Sequence, residues 1–372
     1  MFKKVLGLTL SIAMATALVA CSATTTTGNS GSVAATEKPA KTTEVAKTET
    51  SESATDFPEM KLVFQGQGYN QTEVDSQCLR DMAAEIESAT GGKVTVDMNE
   101  TGALYTQDEA LQAVAAGDLD MNADTIGMLG DYAPELRMFM SPYLFKDADH
   151  WQRWFDSDAW KVETDKIAEK TGLRILGMWN MGGDMVTLNV DRKVTKRADL
   201  SDLKMRMPNN AAQLFMGEAL GGNVIGMAFG DVYMGLQTGA IDGMVSTYAY
   251  IKDKSFYEVT KSITVTNHIY GTGYTVINEE KWQSMSPELQ KIVGDAVTKC
   301  CEGRTQVLKN KASELREFLE TDGGMKIYDL TDEEMAAYQK EVNDYVFSSA
   351  GDDFRSTWDM DLYNAVEELA DK

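Results

Sequence analysis

Histidine is scarce in this chain, with only His150 and His268 among 372 residues. Neither stands in a metal spacing such as His-Glu-x-x-His, which argues against zinc catalysis. Basic side chains are also few beside acidic ones, 35 against 58, for a formal charge of −23. A surface of that sign repels phosphate and argues against nucleic-acid binding. The chain has no Gly-x-Ser-x-Gly elbow, no phosphate-cradling Gly-x-x-x-x-Gly-Lys and no dinucleotide fingerprint. Asp118, Asp120, Asn122 and Asp124 alternate oxygen ligands, but the glycine and glutamate of a calcium loop are missing, so the run reads as a strand edge. No metal and no cofactor are expected. What is present is a globular composition, 43% hydrophobic and 25% charged, which excludes a disordered or collagen-like polymer. At about 100 to 200 residues per domain, the length calls for two lobes.

Lys3 and Lys4 precede an apolar run from Val5 to Ala20, the pattern of a secretory signal and too short for a stable membrane span. Its end, Leu18-Val19-Ala20-Cys21, resembles the lipobox of bacterial lipoproteins, in which the cysteine is lipidated and becomes the mature N-terminus. A plain secretory signal with an incidental cysteine is the alternative. Residues 21–56, rich in Thr, Ser, Ala, Lys and Glu, then read as a flexible tether. With Cys21 lipidated, Cys78, Cys300 and Cys301 remain, an odd number from which no complete disulfide framework follows. Cys300 and Cys301 are neighbours on an expected helix, where a vicinal disulfide is strained, so they read as buried thiols.

The body opens β-α-β: a strand over Met60–Gln65, a helix with Val74, Cys78, Met82 and Ile86 on one face, and a strand over Lys93–Met98. That start points to an α/β fold. A weak repeat lays Glu109–Asp120 over Asp231–Asp242 without a gap. Each copy has an acid in the first helical turn, a helix-ending glycine (Gly117, Gly239), an aliphatic residue and an aspartate entering a strand. Further strands are expected at Leu173–Met178, Met185–Asn189, Lys204–Met207, Asn223–Met227, Ile263–His268 and Tyr274–Ile277, with a helix over Ala211–Leu220. Ser286-Pro287-Glu288 starts a helix whose composition runs to about Leu319, long enough to brace two lobes.

In Lys204-Met205-Arg206-Met207-Pro208 the methionines alternate onto one face and leave Arg206 on the other, just before the helix start at Asn209-Asn210. An arginine there can form two charge-assisted hydrogen bonds to a carboxylate, or make an ordinary surface ion pair. The stretches Asp199–Pro208, Leu220–Val224 and Phe229–Gly243 resemble the signature of solute-binding proteins of TRAP (tripartite ATP-independent periplasmic) transporters. Ala110–Met121 and Ser141–Asp147 extend the likeness, which covers about Met60 to Ser349. The resemblance implies two α/β lobes around a cleft, joined by crossing strands and a long helix. It divides the body into about 57–182 with 270–300, and 183–269 with the C-terminal helices. It implies no enzymatic activity, and a receptor that closes on an organic acid and delivers it to TRAP permease subunits from outside the cytoplasmic membrane.

By the same resemblance Arg206 grips the carboxylate, Phe229 packs on the solute and Asn209 lies at the same wall. Tyr69, Asp124, Thr125, Trp179, Ser246 and Tyr248 are expected near the cleft. The chain departs from many relatives in two places: Asp184 stands where they carry a second arginine, and Met244-Val245-Ser246-Thr247 follows Asp-Gly in place of Gln-Glu-Asn-Pro. An acid at 184 disfavours a dicarboxylate and suits a hydroxyl-rich monocarboxylate such as a sugar acid, or a solute with an amine. The alternative is that this loop turns Asp184 to solvent. Two other readings stay open: a receptor docking on a sensor, and a secreted hydrolase using paired carboxylates such as Asp124 and Asp184.

Overall fold

The computed structural model describes residues 57–66, 72–100 and 102–372. The expected signal segment, the expected tether with Cys21, and Tyr69 lie outside the described residues. Within them eleven strands form two sheets: β1 (Met60–Gln65), β2 (Val94–Asn99), β3 (Met121–Thr125), β4 (Leu173–Gly183), β5 (Met185–Leu188), β6 (Lys204–Met207), β7 (Asn223–Gly226), β8 (Gly243–Ser246), β9 (Ser262–Val265), β10 (Tyr270–Asn278) and β11 (Lys326–Asp329). The first sheet runs β2-β1-β3-β10-β4 and the second β11-β9-β5-β8-β6-β7. Each contains three parallel strands built as β-α-β-α-β, β2-β1-β3 and β7-β6-β8, followed by antiparallel strands. The antiparallel strands carry the crossing. β4 leaves the first sheet at Gly183 and resumes as β5 in the second, and the chain returns from β9 to β10.

The repeat is a real structural correspondence. The helix Gln107–Ala116 ends at Gly117 with φ 81°, and the helix Val232–Thr238 ends at Gly239 with φ 71°. Only glycine adopts that left-handed turn without steric cost. The aspartates that follow also match: Asp120 accepts the Val63 amide at 2.8 Å and Asp242 the Lys204 amide at 2.9 Å. Each ties the entry to the third parallel strand of its sheet to the neighbouring first strand.

Alternation fixes the faces of β6. Met205 and Met207 are buried in the core, and a Cβ added at Gly217 of the helix Ala211–Leu220 would stand 2.6 Å from Met207 Cγ. The helix Pro287–Thr321 is 35 residues long, capped by Ser286 with Pro287 in its first turn. Leu289 to Cys301 join the core of the first sheet, whereas Leu319 joins that of the second, so the helix braces both. A buried ion pair secures it to the helix Glu73–Ala89, with Arg304 Nε 2.9 Å from Asp75 Oδ1. The Arg304 guanidinium lies 3.6 Å from the centroid of Trp179.

The C-terminal helices pack on different parts of the body. Tyr338 in the helix Asp332–Val346 donates to Leu220 O at 3.0 Å, at the end of the helix Ala211–Leu220. Met360–Glu367 instead docks on the helix Ala148–Phe155, where Val366 O meets His150 Nε2 at 2.8 Å. The contact is apolar as well: Leu362 and Val366 belong to the buried cluster that includes Phe139, Trp154 and Trp160, while the Trp358 ring packs on Phe354, Phe347 and Tyr363.

Candidate functional site

A cavity of about 100 Å³ lies between the two sheets, beside the crossing strands. Arg206 enters it from β6, on the face opposite the buried methionines. Its side chain is nearly buried at 5% exposure, and Nε donates to Met227 O at 3.0 Å. Among the described residues no acceptor is in hydrogen-bonding reach of the two terminal nitrogens, and no carboxylate lies within 4.0 Å of the guanidinium. Burial lowers the pKa of Arg206 to about 10 and Asp184 offsets part of that fall, so the group stays cationic at neutral pH. A buried cation whose forked end takes no protein acceptor is held ready for an anion.

Asp184 enters the same cavity from the junction of β4 and β5, where its amide donates to Ile269 O at 2.8 Å across the crossing strands. Its carboxylate takes no hydrogen bond from the described protein. Burial raises its pKa to about 7, and Arg206 opposes the rise. The site therefore presents one fixed cation and one acid poised near neutrality, both with unfilled hydrogen-bonding capacity.

Phe229 forms an apolar wall. Its ring meets Tyr250 edge-on at 5.8 Å and Phe256 at 5.6 Å, and Arg206 Cζ lies 5.5 Å from its centroid. Ser246, at the end of β8, and Thr125, at the end of β3, also line the cavity. The structure thus brings together Arg206, Asp184, Phe229, Ser246 and Thr125.

Other expected residues stand elsewhere. Asn209 is exposed outside the cavity, packed beside Gly226. Trp179 is fully buried against Arg304 and Gly273. Tyr248 lines a separate cavity with Leu308 and Arg316 on the long helix. Asp124 lies one layer behind the wall, accepting from Gln107 Nε2 at 2.9 Å and from the Thr125 amide at 2.7 Å.

The displacement of Trp179 has a local cause. Gly271 pairs with Gly182 and Thr272 with Asn180, so Met181 is the extra residue of a β-bulge, which re-aims the side chains beyond it. Met181 consequently lines the cavity in place of Trp179. Sequence reasoning also missed Gln107, Gln213 and Tyr250 at the cavity. Gln213 carried a signal, since it lies three residues after the helix cap Asn210, whose side chain accepts its amide at 3.0 Å. Tyr250 carried one too, two residues past Tyr248 on the same short helix.

The sequence profile of bacterial extracellular solute-binding proteins, family 7 (DctP), matches residues 66–350. The chain belongs to this family. As a family 7 protein it is 31% identical over 250 residues to a sialic acid-binding periplasmic protein of Vibrio cholerae, covering 67% of this chain and 77% of that one. A TRAP periplasmic solute-binding protein of Roseobacter denitrificans, solved with bound 3-deoxy-D-manno-oct-2-ulosonic acid, is 28% identical with a TM-score of 0.76, over 84% of this chain and 99% of that one. A second such protein from the same organism, solved with bound L-galactonate, is 25% identical with a TM-score of 0.72 and the same coverage. The fold of this family 7 receptor is the two-lobed periplasmic-binding-protein fold. Among the described residues no group of acidic, histidine or cysteine side chains is arranged to hold a metal ion, and no helix is long and apolar enough to cross a membrane.

Proposed function

We propose that the protein is an extracytoplasmic receptor that binds a hydroxylated monocarboxylate, such as a sugar acid, and hands it to a TRAP-type membrane permease without covalent chemistry. The observation that carries this reading is the pairing of two unfilled groups in one cavity: the forked end of Arg206 and the carboxylate of Asp184. Arg206 takes the solute carboxylate through two charge-assisted hydrogen bonds. Asp184 accepts from a hydroxyl at the other end, Phe229 packs on the carbon skeleton, and Ser246 and Thr125 supply neutral polar contacts. A second carboxylate would meet Asp184 in its ionised form and be repelled. The relatives known with sialic acid, an octulosonic acid and galactonate support the class, since each of these ligands has one carboxylate and several hydroxyls.

Closure selects whichever state gives the solute contacts from both lobes. The lobes we assign are about 57–182 with 270–300, and 183–269 with the helix Asp332–Val346. The β4 to β5 and β9 to β10 crossings support this division. Lipidation of Cys21 would tether the body through residues 21–56, on the order of 30 Å from the bilayer for a flexible coil of that length.

A thermal-shift screen tests the class, because a ligand that binds only the folded state raises the melting temperature. Sialic acid, octulosonic acid, galactonate and glucuronate are expected to raise it, and succinate is not. A strong shift with succinate alone would overturn the reading of Asp184. A shift with amino acids alone would replace hydroxyl recognition at Asp184 by ammonium recognition.

A further inference from the structure

The helices Glu73–Ala89 and Pro287–Thr321 pack antiparallel, fixed by two ion pairs. Asp75 meets Arg304 at 2.9 Å and Glu85 meets Lys299 at 2.7 Å. Cys78 and Cys300 lie between these ties, Cys78 half-buried and Cys300 buried. The two cysteines of the adjacent pair face different ways. A Cβ added at Gly177 of β4 would stand 2.8 Å from Cys301 Sγ, so Cys301 faces the sheet. Cys78 Sγ instead faces the long helix, 3.9 Å from a Cβ added at Gly303, and the absence of a side chain there lets the helices approach. Cys300 lies one turn before Gly303 on the same side of the long helix and is thus directed towards Cys78.

We propose that Cys78 and Cys300 form a dithiol that closes to a disulfide under a disulfide oxidant, clamping the first helix of the body to the bracing helix. The direction of reaction follows from the surroundings. Cys78 is half-buried and Cys300 buried, so Cys78 is the accessible thiol and Cys300 the resolving one. The neighbouring Cys300 thiol, helped by Arg304, also holds the pKa of the Cys78 thiol below its usual value against the opposing effects of burial, Asp75 and Asp81. The Cys78 thiolate attacks a small disulfide RSSR, forming a mixed disulfide and expelling RS⁻. Cys300 then gives up its proton and attacks the Cys78 sulfur, expelling the second RS⁻. Two protein thiols are oxidised, and one RSSR is reduced to two RSH after proton uptake. Outside the cytoplasm such a bond persists.

The test treats the reduced full-length protein with oxidised glutathione at neutral pH, quenches with acid and maps the cysteine peptides. The wild type is expected to lose two hydrogens, to join the Cys78 peptide to the one containing Cys300 and Cys301, and to melt at higher temperature until dithiothreitol reverses the change. Cys301→Ala is expected to cross-link as the wild type does. Cys300→Ala, with Cys300→Ser as a second variant should alanine unfold the protein, is expected to stop at a glutathione adduct on Cys78. A lasting adduct on Cys78 in the wild type with no cross-link, a cross-link that survives loss of Cys300, or an unreactive Cys78 would each overturn the proposal.

Discussion

Arg206 and Asp184 each carry a cost that the ligand-free fold does not offset. Burial lowers the pKa of the arginine and raises that of the acid, and only their mutual attraction resists the two shifts. Burial pushes the Asp184 carboxyl up to about 7, well above the usual carboxylate range. For an acid shifted upward the ionised form is the disfavoured one, so folding is penalised above pH 7 and relieved as pH falls from 7 towards 4. Asp184→Asn is therefore expected to raise the melting temperature at pH 8, by an amount corresponding to about 1–3 kcal/mol, and to change it little at pH 4. Equal melting curves at pH 8 would mean that the carboxylate is well solvated. Strand alternation around two methionines set the face of Arg206 but left a surface ion pair open, and the family resemblance singled it out. Trp179, Asn209 and Tyr248 were not, because a loop position says which end of a strand a residue occupies and not which way a bulge, a cap or a helix turn points it.

At the scale of elements, local patterns carried far. The bounds of β1, of β6 and of the helix Ala211–Leu220 coincide with the sequence expectation, and the long helix begins at its serine cap and proline. These elements combine periodicity with a definite stop or start. β11 went unnoticed because its residues are half-exposed and its reason for being a strand is the pairing with β9, 60 or so residues upstream. β10 begins at Tyr270, four residues before the expected start, since Gly271 and Gly273 weaken the strand signal. Gly273 is there for space, because a side chain would run into the Trp179 ring. The matched helix ends make a sharper claim. Gly117→Ala and Gly239→Ala are each expected to cost about 1 kcal/mol through backbone strain, read as a lower denaturation midpoint. Position 239 isolates this effect, since an added Cβ meets nothing within 4 Å. Asp75 serves two elements at once. One oxygen accepts the Thr72 amide and hydroxyl at 2.9 and 2.8 Å, and the other holds Arg304. Asp75→Ala is expected to cost about 3–5 kcal/mol by leaving a buried cation unpaired. The double variant Asp75→Leu/Arg304→Met is expected to recover most of that loss, and equal loss in both would mean that the capping bonds, not the charge, dominate.

At the scale of the whole fold, the described residues contain two copies of one β-α-β-α-β plan that exchange strands and share a single long helix. The exchange puts Asp184 and Ile269 where the two crossings touch, and the cavity opens beside them. In the division proposed above Arg206 and Asp184 belong to the same lobe, so a change in angle between the lobes would keep them together and move Gln107 and Thr125 of the other lobe against them. The composition, with its excess of 23 negative charges, showed that the protein as a whole repels anions. It did not show that one buried cation stands in the cavity with donors unfilled, which follows from the placing of β6. The central claim is that Arg206 holds the carboxylate of the solute. Titration calorimetry of the wild type and of Arg206→Ala, with the sugar acid that gives the largest thermal shift, tests it most directly. Loss of at least about 100-fold in affinity, with the ligand-free protein still folded by its cooperative melting, is the predicted result, from two charge-assisted hydrogen bonds removed at once. Unchanged affinity in Arg206→Ala would contradict it.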